Sequence, residues 1–490
     1  MLSLGYGVLV VCVLCLQTLA AVPHYPTPPD TEAYRVYFTA EGMNNMAKLA
    51  EPQIIQRTLA YPWPNLEQDI KLPGIGDVTF ALSDILFSEV SIADMGVAFT
   101  DGVMNLVASI AASLKFNFDY AEKAWPYLGD SGYGDASLEG VDISVAMTIP
   151  RDPVTYLPVP QYQDTNVHVG SIDVDLVGNH SDLYNVLLEL LNPVIVDLAE
   201  AFGVVLIDTA ADWVVSAWKE IRWEDPLCGI DNRVAEEYFP IEDAFVVMPS
   251  IGQFYTLDNP SVPLVPAPSP LPQSIITGDD IQVVVDETCI SSDMVCHHMQ
   301  GYLTGEVLPD AVDVQFDQLM TVGFIETVTG APGLYKYLPD DPLSLYIESV
   351  AVPTTQILPS GLKLSGSLNV TAYASADATN NELFTLTCDV DLAGFLGVTE
   401  RRNRISLDSQ YMGHMCTLTS SRVGAFSITP QLNEAMMLLF AESLPPHLSD
   451  MFIRAGPPFP LQLVPYSELS AQHTIYKDTY VVVTASLQMD

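Results

Sequence analysis

The run Met104-Asn105-Leu106-Val107-Ala108-Ser109-Ile110-Ala111-Ala112-Ser113-Leu114-Lys115-Phe116 decides the class of fold. Met104, Leu106, Ala108, Ile110, Ala112, Leu114 and Phe116 fall on one side of an extended chain. Asn105, Ser109, Ser113 and Lys115 fall on the other. A period of two sustained this long predicts a strand with one buried and one wet face. Val141, Ile143, Val145 and Met147 alternate with Asp142, Ser144 and Thr148 in the same way. Long one-sided strands belong to antiparallel sheets, because parallel sheets are covered on both faces.

Helical stretches bracket these strands. Met43, Met46, Ala47, Ala50 and Ile54 share one helical face, and Pro52 predicts a kink or restart. From Asp182 to about Trp218, the acids Asp182, Glu189, Asp197, Glu200, Asp208 and Asp212 fall within about a 140° arc, and the rest of the wheel is apolar. Such a helix would span roughly 55 Å. Its acidic stripe excludes a membrane span, and its wide apolar side needs a large apolar surface to cover it. Pro193 and Gly203 predict weak points.

Seven prolines between Pro249 and Pro272 predict an extended linker, residues 249–274. It separates residues 22–248 from residues 275–490. The second portion repeats the order of the first. A strand-like run, Ile281 to Val285, leads into a short helix candidate, Cys289 to Tyr302. Two strands follow, with Leu362, Leu364, Leu368 and Val370 inward on one, and Leu386, Cys388, Val390 and Leu392 inward on the other. Leu432 to Ile453 is a late Met-rich helix, expected to break at Pro445 and Pro446. Each portion reads as early helix, long strands, late helix.

Composition bounds the function. The 490 residues hold 61 acidic and 18 basic side chains, a formal charge of −43, yet 49% are hydrophobic. Disordered acidic tails lack that apolar content. Nucleic acid needs clustered Lys and Arg, so it is not an expected partner. Residues 1–21 read as a secretory signal peptide, with an apolar run from Val8 to Leu16 and small residues at Ala20 and Ala21. No later segment is a candidate transmembrane helix. A secreted or secretory-lumen protein, without a membrane span and monomeric, is expected.

Beyond Cys12 and Cys15, five cysteines remain of the seven: Cys228, Cys289, Cys296, Cys388 and Cys416. Cys388 and Cys416 flank the polar turn Thr399 to Arg404 on two strand-like runs, so a hairpin would bring them together as a disulfide. Cys289 and Cys296 lie roughly 10 Å apart along a helix, too far to bridge. The pairing of Cys228, Cys289 and Cys296 stays open. Sequons at Asn179 and Asn369 predict glycosylation, with Asn369 on the polar face of its strand.

Several segments resemble those of a known family: the lipid-binding proteins related to bactericidal permeability-increasing protein, lipopolysaccharide-binding protein, and the cholesteryl ester and phospholipid transfer proteins. The opening run from Tyr34 to Met43 resembles that family's entry into its first helix. Leu72-Pro73-Gly74-Ile75-Gly76, with strands through Val90, is similar to its next element. Ser137 to Ser144 is similar to its central return strand, the proline-rich linker sits in mid-chain as in the family, and Phe459-Pro460-Leu461 with the strands to Leu487 resembles its ending. The resemblance implies an α+β fold of two tandem, related domains, elongated and boomerang-like. Each would be a highly curved antiparallel sheet wrapped around a long helix, and a central sheet and the linker would join them.

It also implies a lipid-binding or lipid-transfer protein, not an enzyme, that meets lipids, lipid particles or membrane surfaces transiently. It would need no cofactor or metal beyond a bound lipid such as a phospholipid. Holding about thirty methylenes away from water is worth roughly 24 kcal/mol at ~0.8 per CH₂, so a continuous apolar lining is required. Flexible methionines suit varied acyl chains. The expected lining is Met43, Met46, Ile54, Leu106, Ile110, Leu187, Leu190 and Phe202 in the first portion. In the second it is Val283, Met294, Met436, Leu439 and Phe440.

The chain departs from the family at two places. No cysteine lies between Cys15 and Cys228, so the first domain lacks the family's usual disulfide. The stretch Asp119 to Asp135 holds one Lys, Lys123, against Asp119, Glu122, Asp130 and Asp135, where antibacterial members cluster cations. That weakens the alternative of an innate-defence binder of lipopolysaccharide or other microbial lipids.

Other patterns are weaker. Gly129-Asp130-Ser131-Gly132 resembles a serine-protease nucleophile segment, which gives a remote hydrolase alternative through Ser131, but Tyr133 replaces the next Gly and no motif places a histidine. His297-His298 lacks a completing metal-ligand spacing. Asp279-Asp280 and Asp340-Asp341 match no calcium loop and read as solvated turns. Arg401, Arg402 and Arg404 form a tight basic cluster at a hairpin turn and could meet headgroups.

Overall fold

A computed structural model describes residues 32–72, 76–122, 129–177, 201–205, 228–231, 233–236, 241–242, 244–258, 263–273, 278–307, 319–374, 382–399, 404–455 and 469–487. The chain opens with β1 (Tyr34–Thr39) and helix α1 (Ala40–Leu59). A meander follows: β2 (Leu66–Leu72), β3 (Gly76–Thr100), β4 (Val103–Glu122), β5 (Gly129–Thr148) and β6 (Gln161–Val177). These five pair antiparallel in sequence order. The alternation from Met104 to Phe116 lies inside β4. Ile110, Ala112, Leu114 and Phe116 are buried there, whereas Lys115 is exposed.

The sheet bends because its ladders slip. β3 and β4 change register between Ser83 and Leu86, Phe87 and Glu89, and Ile92 and Asp94, and β4 and β5 slip between Ile110 and Ala112. Each extra residue kinks its strand and increases the local twist.

Short strands β7 (Cys228–Ile230), β8 (Ile241–Glu242), β9 (Phe245–Ser250) and β10 (Phe254–Thr256) close the first portion. The second begins with β11 (Ile281–Asp286) and α2 (Glu287–Met299). Next come β12 (Thr304–Val307), α3 (Val322–Thr329), β13 (Leu343–Ser349), β14 (Thr354–Leu358), β15 (Gly361–Ala374), β16 (Glu382–Thr399) and β17 (Arg404–Ser421). Helix α4 (Pro430–Ala455), β18 (Leu469–Tyr476) and β19 (Tyr480–Leu487) end it. The second meander has the order β12-β13-β15-β16-β17, with β14 beside β15.

A central sheet, β18-β19-β11-β1-β9-β8, takes three strands from each portion. Val36 faces Val283 at its middle. On either side the order repeats: an early strand, then a late strand, then an edge strand. The helices repeat too. Thr39 ends β1 and caps α1 by accepting from Gly42 N, and Asp286 ends β11 and caps α2 by accepting from Thr288 N. Among the described residues, an early strand, a capped helix and an antiparallel meander thus recur on both sides of the β1–β11 seam.

One face of this sheet joins a cluster that reaches both portions, from Met43, Met46 and Met104 to Phe440 and Phe452. The other face buries Tyr37, Phe245, Val247, Val284 and Val482 under Leu271 of the proline-rich segment. Arg35 and Tyr37 donate to the Pro272 carbonyl and pin that segment down. Burying Leu271 contributes about 1.5–3 kcal/mol to this docking.

Four expectations change. The linker begins later than the prolines suggest: Pro249 and Ser250 finish β9, and Phe254–Thr256 forms β10 against β7. Pro52 does not restart α1, which runs through it with Met46, Ala50 and Ile54 all buried. Helix α4 likewise continues through Pro445 and Pro446. The Pro445 carbonyl accepts from the Ser409 hydroxyl of β17, and the packing of α4 on that strand holds the turn the prolines weaken. Asp280 is not a solvated turn residue. It is buried, and its carboxylate accepts from Leu487 N at 2.8 Å and from Asn45 Nδ2 at 3.3 Å. The predicted helix Asp182 to Trp218 lies outside the described residues except 201–205, which are helical.

Candidate functional site

The sites follow from how α4 lies against the second meander. Leu364, Leu368, Val390 and Leu392 point inward from β15 and β16. Leu444 and Leu448, one turn apart on α4, face them, and Met294 of α2 and Ile347 of β13 fill the sides. Between these walls is an open pocket of about 190 Å³. Its lining is overwhelmingly apolar. Thr304, Ser349, Ser365, Ser443 and His447 are its neutral polar side chains, Glu306 is its acidic one, and no Lys or Arg is among its described lining residues.

His447 Nε2 lies 3.3 Å from the Tyr302 carbonyl and so links α4 to the chain entering β12. A smaller recess of about 40 Å³ lies along the earlier turns of α4, lined by Met320, Phe324, Val370, Phe384, Met436 and Leu439. The larger pocket is below the roughly 300–1,000 Å³ of ordinary ligand sites. A long chain therefore enters only if the walls part, and the unbranched Met294 side chain is suited to that adjustment.

The first portion differs. Ile54, Ile110 and Phe202 meet in one buried cluster with Trp63 and Phe87. The Phe202 ring stacks 4.8 Å from Phe87 and 5.9 Å from Trp63. Asp94, Ser109, Asp142 and His168 stand opposite one another across four strands, in a shallow groove of about 290 Å³ that Val107, Ala108 and Ile143 also line. Among the described residues no group of three or more His, Cys, Asp and Glu is placed to hold a metal ion. His297 is buried with its Nδ1 2.8 Å from the Asp293 carbonyl, a contact within its own helix.

Comparison with known proteins agrees with this architecture. The sequence pattern of the LBP / BPI / CETP family, C-terminal domain, matches residues 225–489. The chain belongs to the LBP/BPI/CETP family. It is 24% identical to phospholipid transfer protein of Homo sapiens over 361 residues, 70% of this chain and 71% of that protein. Against phospholipid transfer protein of Mus musculus it is 24% identical over 364 residues, again 70% and 71%. A crystal structure of lipopolysaccharide binding protein superposes with a TM-score of 0.50 at 16% identity, covering 94% of this chain and 99% of that one. The family's fold thus extends over both portions.

Within this family member the expected lining residues divide four ways, with Ile54, Ile110 and Phe202 in the buried cluster of the first portion. Met294 walls the larger pocket, and Met436 and Leu439 wall the recess. Met43, Met46, Val283 and Phe440 are buried around the central sheet, in the cluster that both portions share. Leu106 is half-buried against them. Leu187 and Leu190 lie outside the described residues.

Sequence reading missed Ile347, Leu444 and Leu448. The last two share a helical face with Phe440, four and eight residues on, a signal obscured by the two prolines between them.

Cys388 and Cys416 are bonded directly across β16 and β17, as the hairpin predicts. Cys228 bonds Cys296, fixing β7 to α2, and Cys289 is free and buried. Burial raises the Cys289 thiol well above its ordinary range. Asn369 lies on β15, where its Oδ1 accepts from the Thr387 hydroxyl, while Asn179 lies outside the described residues. Of the basic cluster only Arg404 is described, at the start of β17. Ser131 lies in β5 opposite Asp119, with its N–H donating to Asp130, so its described cross-strand neighbour is not a histidine.

Proposed function

We propose that this protein is a secreted carrier that holds the acyl chain of a phospholipid or similar lipid in apolar pockets and moves it between lipid surfaces without covalent catalysis. The observation that carries the reading is the pocket between α4 and the β15–β16 face. A wall of Met294, Leu364, Leu368, Leu392, Leu444 and Leu448, with Glu306 as the charged side chain among the described lining residues, matches a hydrocarbon chain better than a polar metabolite. Membership of the LBP/BPI/CETP family and the likeness to phospholipid transfer proteins support the same ligand class. We assign residues 1–21 to the signal and 275–490 to the second lipid-binding domain, while the first begins at residue 22 and runs through β10, so that the linker lies between Thr256 and residue 275. Glycans on Asn179 and Asn369 would accompany secretion.

The test is uptake of a phospholipid carrying a fluorescent acyl chain. Emission should rise on binding and saturate. Leu444→Trp, which fills the pocket, should lower the stoichiometry. A protein that never takes up the probe overturns the reading.

A further inference from the structure

The pocket wall is interrupted at one place. The chain leaves the lining at Ser349, the end of β13, and returns to it at Pro353, just before β14. The intervening Val350, Ala351 and Val352 are exposed, Val350 by 50% and Val352 by 39%. This loop is not loose. Val350 N donates to the Ser367 carbonyl, Ser349 N donates to the Leu303 carbonyl, and the Ser349 hydroxyl donates to the Ala351 carbonyl at 2.8 Å. Two backbone hydrogen bonds and one from a side-chain hydroxyl therefore hold two valines in water beside an apolar opening. No charged residue occurs from Ser349 to Leu362, in a chain whose net charge is −43.

We infer that the Val350–Val352 loop is the docking element that seats this pocket against an electrically neutral lipid surface, so that an acyl chain passes into the pocket without crossing water. The inference rests on the lipid-carrier reading and adds the surface and its chemistry. A lipid surface fits better than a protein groove for two reasons. The loop is continuous with a cavity that needs hydrocarbon, and each methylene that crosses water instead costs about 0.8 kcal/mol. A neutral surface is favoured because the chain's negative charge repels an anionic one, and the loop brings no Lys or Arg to reverse this.

Flotation with phosphatidylcholine vesicles tests it, alongside the same vesicles containing phosphatidylserine. The expected result is binding to the first, weaker binding to the second, and roughly tenfold or greater loss of binding for Val350→Asp/Val352→Asp. In parallel, lipid is delivered to each protein from ethanol, without vesicles. The double variant should load to the wild-type level by this route and acquire lipid slowly from vesicles. Equal flotation and equal vesicle-to-protein transfer for wild type and variant would overturn the docking assignment while leaving the carrier reading standing. Failure of the wild type to load by either route would instead remove the carrier reading. A variant that loads poorly from ethanol as well would show that the valines serve the pocket itself, and that also overturns the docking role.

Discussion

Val36 of β1 stands directly opposite Val283 of β11, and both are fully buried. This pair marks the seam about which the two portions repeat, and strands from both portions flank it. Val283→Asn would place a buried amide between two apolar cross-strand partners, Val36 and Val483. We expect a loss of about 3 kcal/mol or more in stability, read as a lower urea midpoint.

Gly42 is a second point of contact between the portions. A Cβ there would collide with the backbone carbonyl of Asp280, which also accepts from Thr39 N. Backbone on both sides leaves little room to yield. Gly42→Ala should cost roughly 1–3 kcal/mol. Gly305→Ala, on β12 with nothing within 4 Å of the new methyl, should be near neutral and controls for the glycine-to-alanine change itself. Thermal melts of the two variants give the contrast.

His414 predicts a pH dependence. It contacts the Tyr411 hydroxyl, and its ring lies 5.4 Å from Phe440 of α4. Burial lowers its pKa from the ordinary histidine value, opposed in part by Asn433. Because the folded value lies below the unfolded one, near about 6.5, the unfolded chain takes up the proton first. The stability is therefore intact above the unfolded value and is lost as pH falls through it towards the folded value. Asp286 and Asp293 act in the opposite sense: burial raises both carboxyls, so their contribution favours the fold at low pH and is lost as pH rises through their folded values. The diagnostic is thus a difference. His414→Gln should flatten the fall in urea midpoint between pH 7 and pH 5 relative to wild type. Parallel curves would show that His414 is not the group responsible.

The disulfides give a covalent prediction. Digestion without reduction should yield one peptide pair joined through Cys228 and Cys296, another joined through Cys388 and Cys416, and Cys289 alkylated only after unfolding. Cys228→Ser should cost about 2–5 kcal/mol, since it frees β7 from α2. A bond involving Cys289 would contradict the arrangement.

Much of the fold was legible because its strands have one wet face. Met104 to Phe116 and Leu386 to Leu392 each declare their inward side residue by residue, and the hairpin they imply placed Cys388 beside Cys416. What the sequence hid was set by partners far along the chain. Asp280 reads as a turn acid until Leu487 and Asn45 are brought to it. The prolines of α1 and α4 read as breaks until tertiary packing holds the helices through them. The lining of the pocket was legible only in part for the same reason. Met294, Met436 and Leu439 signal burial, but a pocket and a core have the same pattern, and only the placement of α4 separates Leu444 and Leu448 from ordinary core residues. The exposed Val350 and Val352 break the rule of alternation at a strand end, and nothing local marks them as the edge of an opening.

The most direct test of the carrier account is native mass spectrometry of the protein purified from a secreting host without detergent. The account predicts a mass above that of the processed chain and its glycans, removed by organic extraction and identified in the extract as acyl-chain lipid. A mass equal to the glycosylated chain alone, unchanged after incubation with phospholipid, would contradict it.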